Sequence, residues 1–150
     1  DLLPRLADRL GYSYHFFPAA GDTWGNAILT NLPSREYAQG VLPRGTSAMQ
    51  RGWGGALLEL ADGRDMLVVV SHLHHPTNGQ SLRAEQAAVL VEDTLSLADR
   101  HQVLPLTVVV GDLNAYEQDL ILWRGSQWDD ATVWEADAFV FGTVTAGAAG

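Results

Sequence analysis

Two apolar runs of the 150-residue chain end in side chains that can do acid–base or metal chemistry. "VVVSHLHHP" carries His72, His74 and His75, and "VVVGDLNA" carries Asp112 and Asn114. A carboxylate can hold a divalent cation or take a proton from water, and an amide can both donate and accept hydrogen bonds. Because side chains alternate along a strand, Asp112 and Asn114 share a face if the strand continues, as do His72 and His74. We interpret these residues as a candidate reaction centre.

The same residues also have structural interpretations, which the sequence leaves open. Gly111, Asp112 and Asn114 suit an Asx turn that closes a buried strand, and a single histidine at a strand end is often a structural donor. Arg51 can meet a phosphate, or it can lie exposed and stack on Trp53. Two zinc-type hydrolases are excluded, because no Asp-His pair follows the histidines and the chain has no Gly-Asn-His motif.

Strands must position these side chains. Segments rich in β-branched and aromatic residues and bounded by Gly, Pro or Asp predict strands: "YSYHFFP", "WGNAILT", "GGALLEL" and "DMLVVVSHL". The turn "ADGRD" (61–65) joins the last two and predicts an antiparallel hairpin. Residues 31–50 and "PTNGQS" are interpreted as loops. A weaker signal in "WDDATVW" and "DAFVFGTVTA" predicts one more strand in the tail.

Two helices are predicted. The first covers Leu2 to Leu10 and stops at Gly11. The second runs from Gln80 to His101, with a helical stripe of residues at three- and four-residue steps: Ala87, Leu90, Val91, Thr94, Leu95 and Ala98. This helix connects two runs that are too apolar to face water on either side, so the order is strand, helix, strand. Polar groups that do chemistry in such sheets lie at the strand ends.

Composition limits the class of protein. Hydrophobic residues make up 47% of the chain, which predicts one globular domain over residues 1–150 with the five tryptophans in the core or at a cleft rim. A formal net charge of −9 without a basic block disfavours non-specific nucleic-acid binding. No apolar stretch is long enough for a membrane span. Because the chain lacks cysteine, a metal would need oxygen or imidazole ligands.

Four segments, in order and at similar spacing, resemble the endonuclease/exonuclease/phosphatase superfamily, the DNase I-like metal-dependent phosphoesterases. They are "WGNAILTNLP" (24–33), "MLVVVSHL" (66–73), "RAEQ" (83–86) and "VVVGDLNA" (108–115). The resemblance covers most of the chain and also includes "RGWGGALLEL" and "WDDATVW". It implies an α/β (α+β) fold, a four-layered α/β/β/α sandwich with two mixed β-sheets. Arg83 and Gln86 match the family's helix start and are interpreted as structural.

The resemblance also implies roles in an attack of water on a phosphoester. Asp112 would orient or deprotonate the water, and Asn114 would hold it and a phosphate oxygen. His72 would contact the phosphate or assist the leaving group, with Asn26 beside the scissile phosphate and Arg51 as a further phosphate ligand. The implied cofactor is Mg²⁺ or Mn²⁺ on Asp112 and Asn114. The implied substrates are nucleic acids, nucleotides, lipids or small phosphoesters.

The chain departs from the family pattern at its ends. It contains neither the Gln-Glu motif with the main metal-binding glutamate, nor the Arg-Ile-Asp-Tyr strand, nor the terminal Ser-Asp-His. It also begins inside a predicted helix, so we expect a piece of a longer protein whose fold is incomplete at both termini. These 150 residues alone are expected to hold an incomplete metal site and to be inactive or very weak. The alternative function is a non-catalytic scaffold or partner-binding domain.

Overall fold

Residues 2–114 and 142–143 are described by a computed structural model, and they form two helices and seven strands. The helices are α1 (Leu2–Leu10) and α2 (Gln80–Arg100), and the strands are β1 (Ser13–Ala20), β2 (Trp24–Thr30), β3 (Ser34–Val41), β4 (Gly52–Glu59), β5 (Asp65–His72), β6 (Thr107–Asp112) and β7 (Gly142–Thr143). A 3-10 turn, Leu104–Leu106, leads into β6. Among these residues, neither helix is long and apolar enough to cross a membrane.

Local signals in the sequence place the ends of several elements. Helix α1 ends at Gly11, whose φ of 66° is in the left-handed region that glycine tolerates best. The turn between β4 and β5 closes with the Leu60 amide donating to the Arg64 carbonyl and contains Gly63 at φ 80°. The two strands pair antiparallel, so the predicted hairpin is confirmed.

The larger sheet has five strands in the order β3-β4-β5-β6-β7. Strands β5 and β6 pair in parallel and the other neighbours are antiparallel, so this sheet is mixed. Helix α2 supplies the crossover between β5 and β6, which confirms the predicted order of strand, helix and strand. Within the predicted helical stripe, Leu95 is only half-buried and Leu97 takes its place in the core.

Two hydrophobic clusters define the layers. One lies between α2 and the five-stranded sheet and includes Leu67, Val69 and Leu90. The other includes Phe17 and Ile28, and it lies between that sheet and the two-stranded antiparallel sheet of β1 and β2. Helix α1 contacts β1. The order of layers is therefore helix, sheet, sheet, helix, as predicted for the α/β/β/α sandwich.

Strand β3 corrects the interpretation of residues 31–50 as a loop. Its pattern of half-buried and exposed residues lacks the alternation that marks a strand, and its side chains are largely polar. The polar residues are satisfied by neighbouring strands: Arg35 forms ion pairs with Glu59 and Asp65 at 3.1 and 3.0 Å. Gly40 faces Trp53, and a Cβ there would lie 2.4 Å from the indole nitrogen. These partners are remote in sequence, so the local pattern could not indicate the strand.

The tail predictions fall largely outside the described residues. β7 lies within "DAFVFGTVTA" and pairs with β6, in agreement with the predicted extra strand. The segment "WDDATVW" and Trp123, Trp128 and Trp134 lie outside the described residues.

Candidate active site

His72 and Asp112 come together because β5 and β6 are parallel and end at the same edge. The two residues are register partners, and His72 Nε2 lies 3.5 Å from Asp112 Oδ2. The sequence predicted that both strands are buried on both faces, and this is wrong. Residues along β5 and β6 alternate between buried and half-buried. His72 follows Val70 on the half-buried face, which packs toward the two-stranded sheet. The pair therefore opens toward the space between the sheets.

Gly111 permits this pairing at the end of β6. Its φ is 134°, in the region that favours glycine, and a Cβ on it would lie 1.9 Å from the carbonyl oxygen of Ser71. Only a residue without a side chain lets β6 approach β5 so closely at this point. The glycine therefore positions Asp112 opposite His72.

Asn114 reaches the site by a turn and not by strand alternation. Strand β6 ends at Asp112, and Asn114 takes a left-handed φ of 48°, so the expected shared strand face is wrong. The Asn114 backbone amide donates to Asp112 Oδ1 at 3.1 Å, which confirms the Asx-turn interpretation. Its side-chain Nδ2 donates to the Leu73 carbonyl at 3.1 Å. The turn thus holds the backbone amide of Asn114 against the carboxylate of Asp112, while the side-chain amide is bound to the Leu73 carbonyl.

Asn26 approaches from the other sheet. It lies on β2, and its Nδ2 donates to the carbonyl of Gly52 at 3.1 Å. The Ser71 hydroxyl donates to the same carbonyl, also at 3.1 Å. The Gly52 carbonyl therefore joins β2 to β5 directly behind His72, a role for which the sequence carries no signal.

Arg51 lies in a cleft that Asn26 and His72 also line. It is only 5% exposed, so the exposed stacking arrangement on Trp53 is wrong; the Trp53 indole instead donates to Asp93 at 2.8 Å. The Nε of Arg51 has no hydrogen-bond partner among the described residues. Burial lowers the pKa of its guanidinium, and the Asp112 carboxylate partly offsets this. A buried cation with an unpaired donor suits an anionic ligand.

Gln50 fixes the segment that carries Arg51. Its Nε2 donates to the carbonyls of Leu42 and Arg51 at 2.7 and 2.8 Å. No pattern in the sequence indicates this role, because the contacts cross the loop between β3 and β4.

Two histidines at and just after the end of β5, His72 and His74, have lowered pKa values. Burial lowers the pKa of His72, Arg51 and His75 lower it further, and Asp112 opposes them. Burial also lowers the pKa of His74, with His75 and Arg51 acting in the same direction. His72 is therefore neutral at pH 7, and can donate through one ring nitrogen and accept through the other.

Arg83 and Gln86 tie α2 to the loop after β5, as predicted. Gln86 Oε1 accepts from the His74 amide at 2.8 Å, and its Nε2 donates to the Pro43 carbonyl at 2.7 Å. Arg83 donates to the carbonyls of His74 and Pro76. Both side chains are fully buried, and their hydrogen bonds anchor the loop that follows His72 to helix α2.

A hard divalent cation partly fits the site. Within residues 2–114 and 142–143, no three His, Asp or Glu side chains converge as a ligand set. Asp112 is 62% exposed, and its Oδ1 accepts from the backbone N–H of Asn114, whose side-chain Nδ2 donates to the Leu73 carbonyl. Mg²⁺ commonly binds through one or two carboxylates, with waters and substrate phosphate completing its shell. By their chemistry, the Asp112 carboxylate and the side-chain oxygen of Asn114 suit such a partial donor set.

Comparison with protein-family models finds no match, and comparison with curated proteins finds none either. Solved structures do match. The catalytic domain of human Nocturnin, with bound sulfate, is 25% identical with a TM-score of 0.65, over 86% of this chain and 53% of that chain. ANGEL2, a 2′,3′-cyclic phosphatase in complex with adenosine-2′,3′-vanadate, is 19% identical with a TM-score of 0.64, over 78% and 36%.

TDP2 from D. rerio, complexed with a single-strand DNA product, is 15% identical with a TM-score of 0.61, over 95% of this chain and 66% of that chain. The chain thus spans about half the length of the Nocturnin structure and about a third of the ANGEL2 structure. All three proteins are phosphoesterases of one superfamily. The chain therefore has the fold of the endonuclease/exonuclease/phosphatase (DNase I-like) superfamily, as the resemblance of its four sequence segments predicted.

Proposed function

We propose that this chain carries part of the active site of a divalent-metal-dependent phosphoester hydrolase, of phosphodiesterase, phosphatase or nuclease type. The observation that carries the proposal is the convergence of four side chains, three of which line one cleft between the sheets: Asn26, Arg51 and His72, with Asp112 paired to His72. The fold supports the proposal, because the proteins that share it are phosphoesterases.

In the proposed reaction, a water oxygen attacks phosphorus and the bond to the leaving oxygen breaks. Asp112 orients the water and takes its proton, and Asn114 holds the water through its side-chain oxygen. Arg51 and Asn26 position the phosphate and neutralise its charge. A bound Mg²⁺ or Mn²⁺ on Asp112 and Asn114 would stabilise charge on the phosphoryl oxygens.

His72 has two proposed roles, and its electrostatics favour one. A histidine that is neutral at pH 7 is a poor proton donor to a leaving group but still donates a hydrogen bond. We therefore propose that His72 contacts a phosphate oxygen and is positioned by Asp112, 3.5 Å away. The leaving oxygen would take its proton from solvent.

The decisive assay is hydrolysis of a generic phosphodiester with Mg²⁺ by a longer chain that contains the Gln-Glu and Ser-Asp-His motifs. Asp112→Ala should reduce kcat/KM by about 10²–10⁴-fold. Asp62→Ala is the matched control, because that carboxylate lies in the exposed turn between β4 and β5. Equal activity in wild type and Asp112→Ala would remove Asp112 from the mechanism.

The 150-residue chain itself gives a second test. Because the 150 residues contain neither the Gln-Glu nor the Ser-Asp-His motif of the family, we expect little or no turnover by these residues alone. Robust metal-dependent turnover would refute that expectation. The same missing motifs favour the second candidate function, a non-catalytic scaffold or partner-binding domain of the same fold. That function predicts phosphate binding without hydrolysis even in the longer chain.

A further inference from the structure

One face of β2 runs from the core to the mouth of the candidate cleft. Alternation places Trp24, Asn26 and Ile28 on this face. Ile28 is buried between the two sheets, and Asn26 is half-buried and reaches Gly52 on the facing sheet. Trp24, which also lines the cleft, is 49% exposed. The indole therefore forms a rim directly beyond the polar part of the site.

The backbone of the hairpin holds this indole in place. The β1–β2 pairing shifts register between Pro18 and Ala20, and Ala20 pairs with Trp24. Gly25 allows the two strands to approach, because a Cβ there would lie 2.1 Å from the carbonyl oxygen of Phe17. Strand pairing thus fixes where Trp24 lies, while much of its ring surface stays available to a ligand.

We infer that Trp24 stacks on a planar aromatic group that is covalently joined to the phosphate at Arg51, and that the substrate class is a nucleotide. This inference rests on the proposed function. Trp24 and Asn26 are two residues apart on an extended strand, about 7 Å, which is comparable to the reach from a phosphate across a ribose to its base. Stacking on an aromatic side chain suits any base, whereas a sugar phosphate or lipid headgroup has no π-face.

Two ligands that differ only in the base test the inference: adenosine 5′-monophosphate and ribose 5-phosphate, titrated calorimetrically in Mg²⁺ buffer. We expect the wild-type chain to bind the nucleotide about 5- to 150-fold more tightly. Trp24→Ala should abolish this preference and leave the affinity for ribose 5-phosphate unchanged. Trp24→Phe should retain much of it, because a flat aromatic ring remains.

Tyr14→Ala is the matched control, since Tyr14 is 42% exposed on the same hairpin and lies about 20 Å along the strand from the cleft. It should leave both affinities unchanged. If ribose 5-phosphate binds but the base adds no affinity, or if Trp24→Ala keeps the preference, the stacking inference is overturned while the phosphate site stands. If neither ligand binds the wild-type chain, the phosphate site fails, and the stacking inference fails with it.

Discussion

Replacing Gly111 by alanine tests how the end of β6 positions the site. The added Cβ would lie 1.9 Å from the Ser71 carbonyl oxygen, and the φ of 134° is unfavourable for any residue with a side chain. Backbone strain of this kind costs about 1–3 kcal/mol, and overpacking against a fixed neighbour costs about another 1–3 kcal/mol. Alanine also restricts the unfolded chain by about 0.4–1 kcal/mol in the stabilising direction, so we expect Gly111→Ala to lower the free energy of unfolding by about 1–6 kcal/mol.

Gly63→Ala separates the two contributions. Gly63 also has a left-handed φ, 80°, but a Cβ there meets nothing within 4 Å. The Gly63→Ala variant therefore has the backbone strain without the steric clash. Alanine also restricts the unfolded chain, which stabilises the folded state by about 0.4–1 kcal/mol. We expect a loss of about 0–2 kcal/mol, clearly smaller than that of Gly111→Ala.

Urea denaturation followed by far-UV circular dichroism measures both variants against wild type. If Gly111→Ala is no less stable than Gly63→Ala, the close approach of β6 to β5 at Ser71 is wrong. The site gives a second readout, because the same substitution should separate Asp112 from His72. Asp112 raises the pKa of His72, so we expect that pKa, followed by NMR, to fall in Gly111→Ala and to stay unchanged in Gly63→Ala.

The remaining predictions concern charge and buried polar groups. Arg51 lowers the pKa of His72 and Asp112 raises it. In an NMR titration of His72, we therefore expect a higher midpoint in Arg51→Gln and a lower midpoint in Asp112→Asn. An unchanged midpoint in both variants would contradict these electrostatic interactions. Because the folded-state pKa of His72 lies below its ordinary value of about 6.5, the unfolded chain binds the proton more readily. The stability that neutral His72 contributes is complete above pH 6.5 and is lost as pH falls toward the folded-state pKa, so His72→Asn should lose less stability than wild type between pH 7.5 and 5.5 in urea denaturation. Gln86→Leu should lower the free energy of unfolding by about 2–4 kcal/mol, measured by heat or urea, because the His74 N–H and the Pro43 carbonyl lose their partner. Gln39→Leu, at an exposed position of β3, should change it by less than about 0.5 kcal/mol. Equal losses in the two variants would contradict the buried role of Gln86.

The sequence predicts those features that depend on local pattern. The Asp-Gly turn at residues 61–65 identifies the β4–β5 hairpin, and the three- and four-residue spacing identifies α2 within one residue at its end. Since chemistry in such sheets gathers at strand ends, the same reasoning selected His72 and Asp112, which the structure pairs in register. The sequence predicted that both residues lie at strand ends, whereas their register and separation became known only from the structure.

Features that depend on remote contacts were not predictable. Arg51 looks like an exposed loop residue in sequence, but the closing of β1–β2 over β4 buries it. Asn114 lies two residues after Asp112, so strand alternation would place both side chains on one face. Strand β6 ends at Asp112, however, and Asn114 lies in a left-handed turn. The turn itself is local, since Asp112 Oδ1 accepts from the Asn114 amide, but the Leu73 carbonyl that binds the Asn114 side chain lies 41 residues away in sequence.

The distribution of charge bears on the size of the substrate that the proposed function requires. The whole chain carries a formal net charge of −9, yet the cleft is lined by a buried arginine, Arg51, together with His72. At physiological ionic strength the Debye length is about 8 Å, so exposed acidic groups farther away act only weakly on a phosphate inside the cleft, while Arg51, which is buried, is screened less. With 9 basic against 18 acidic side chains and no basic block, the chain has few cations with which to displace the counterions of a long polyanion. We therefore expect the cleft to favour a compact phosphoester, held by Arg51 through one phosphate and by Trp24 through one ring.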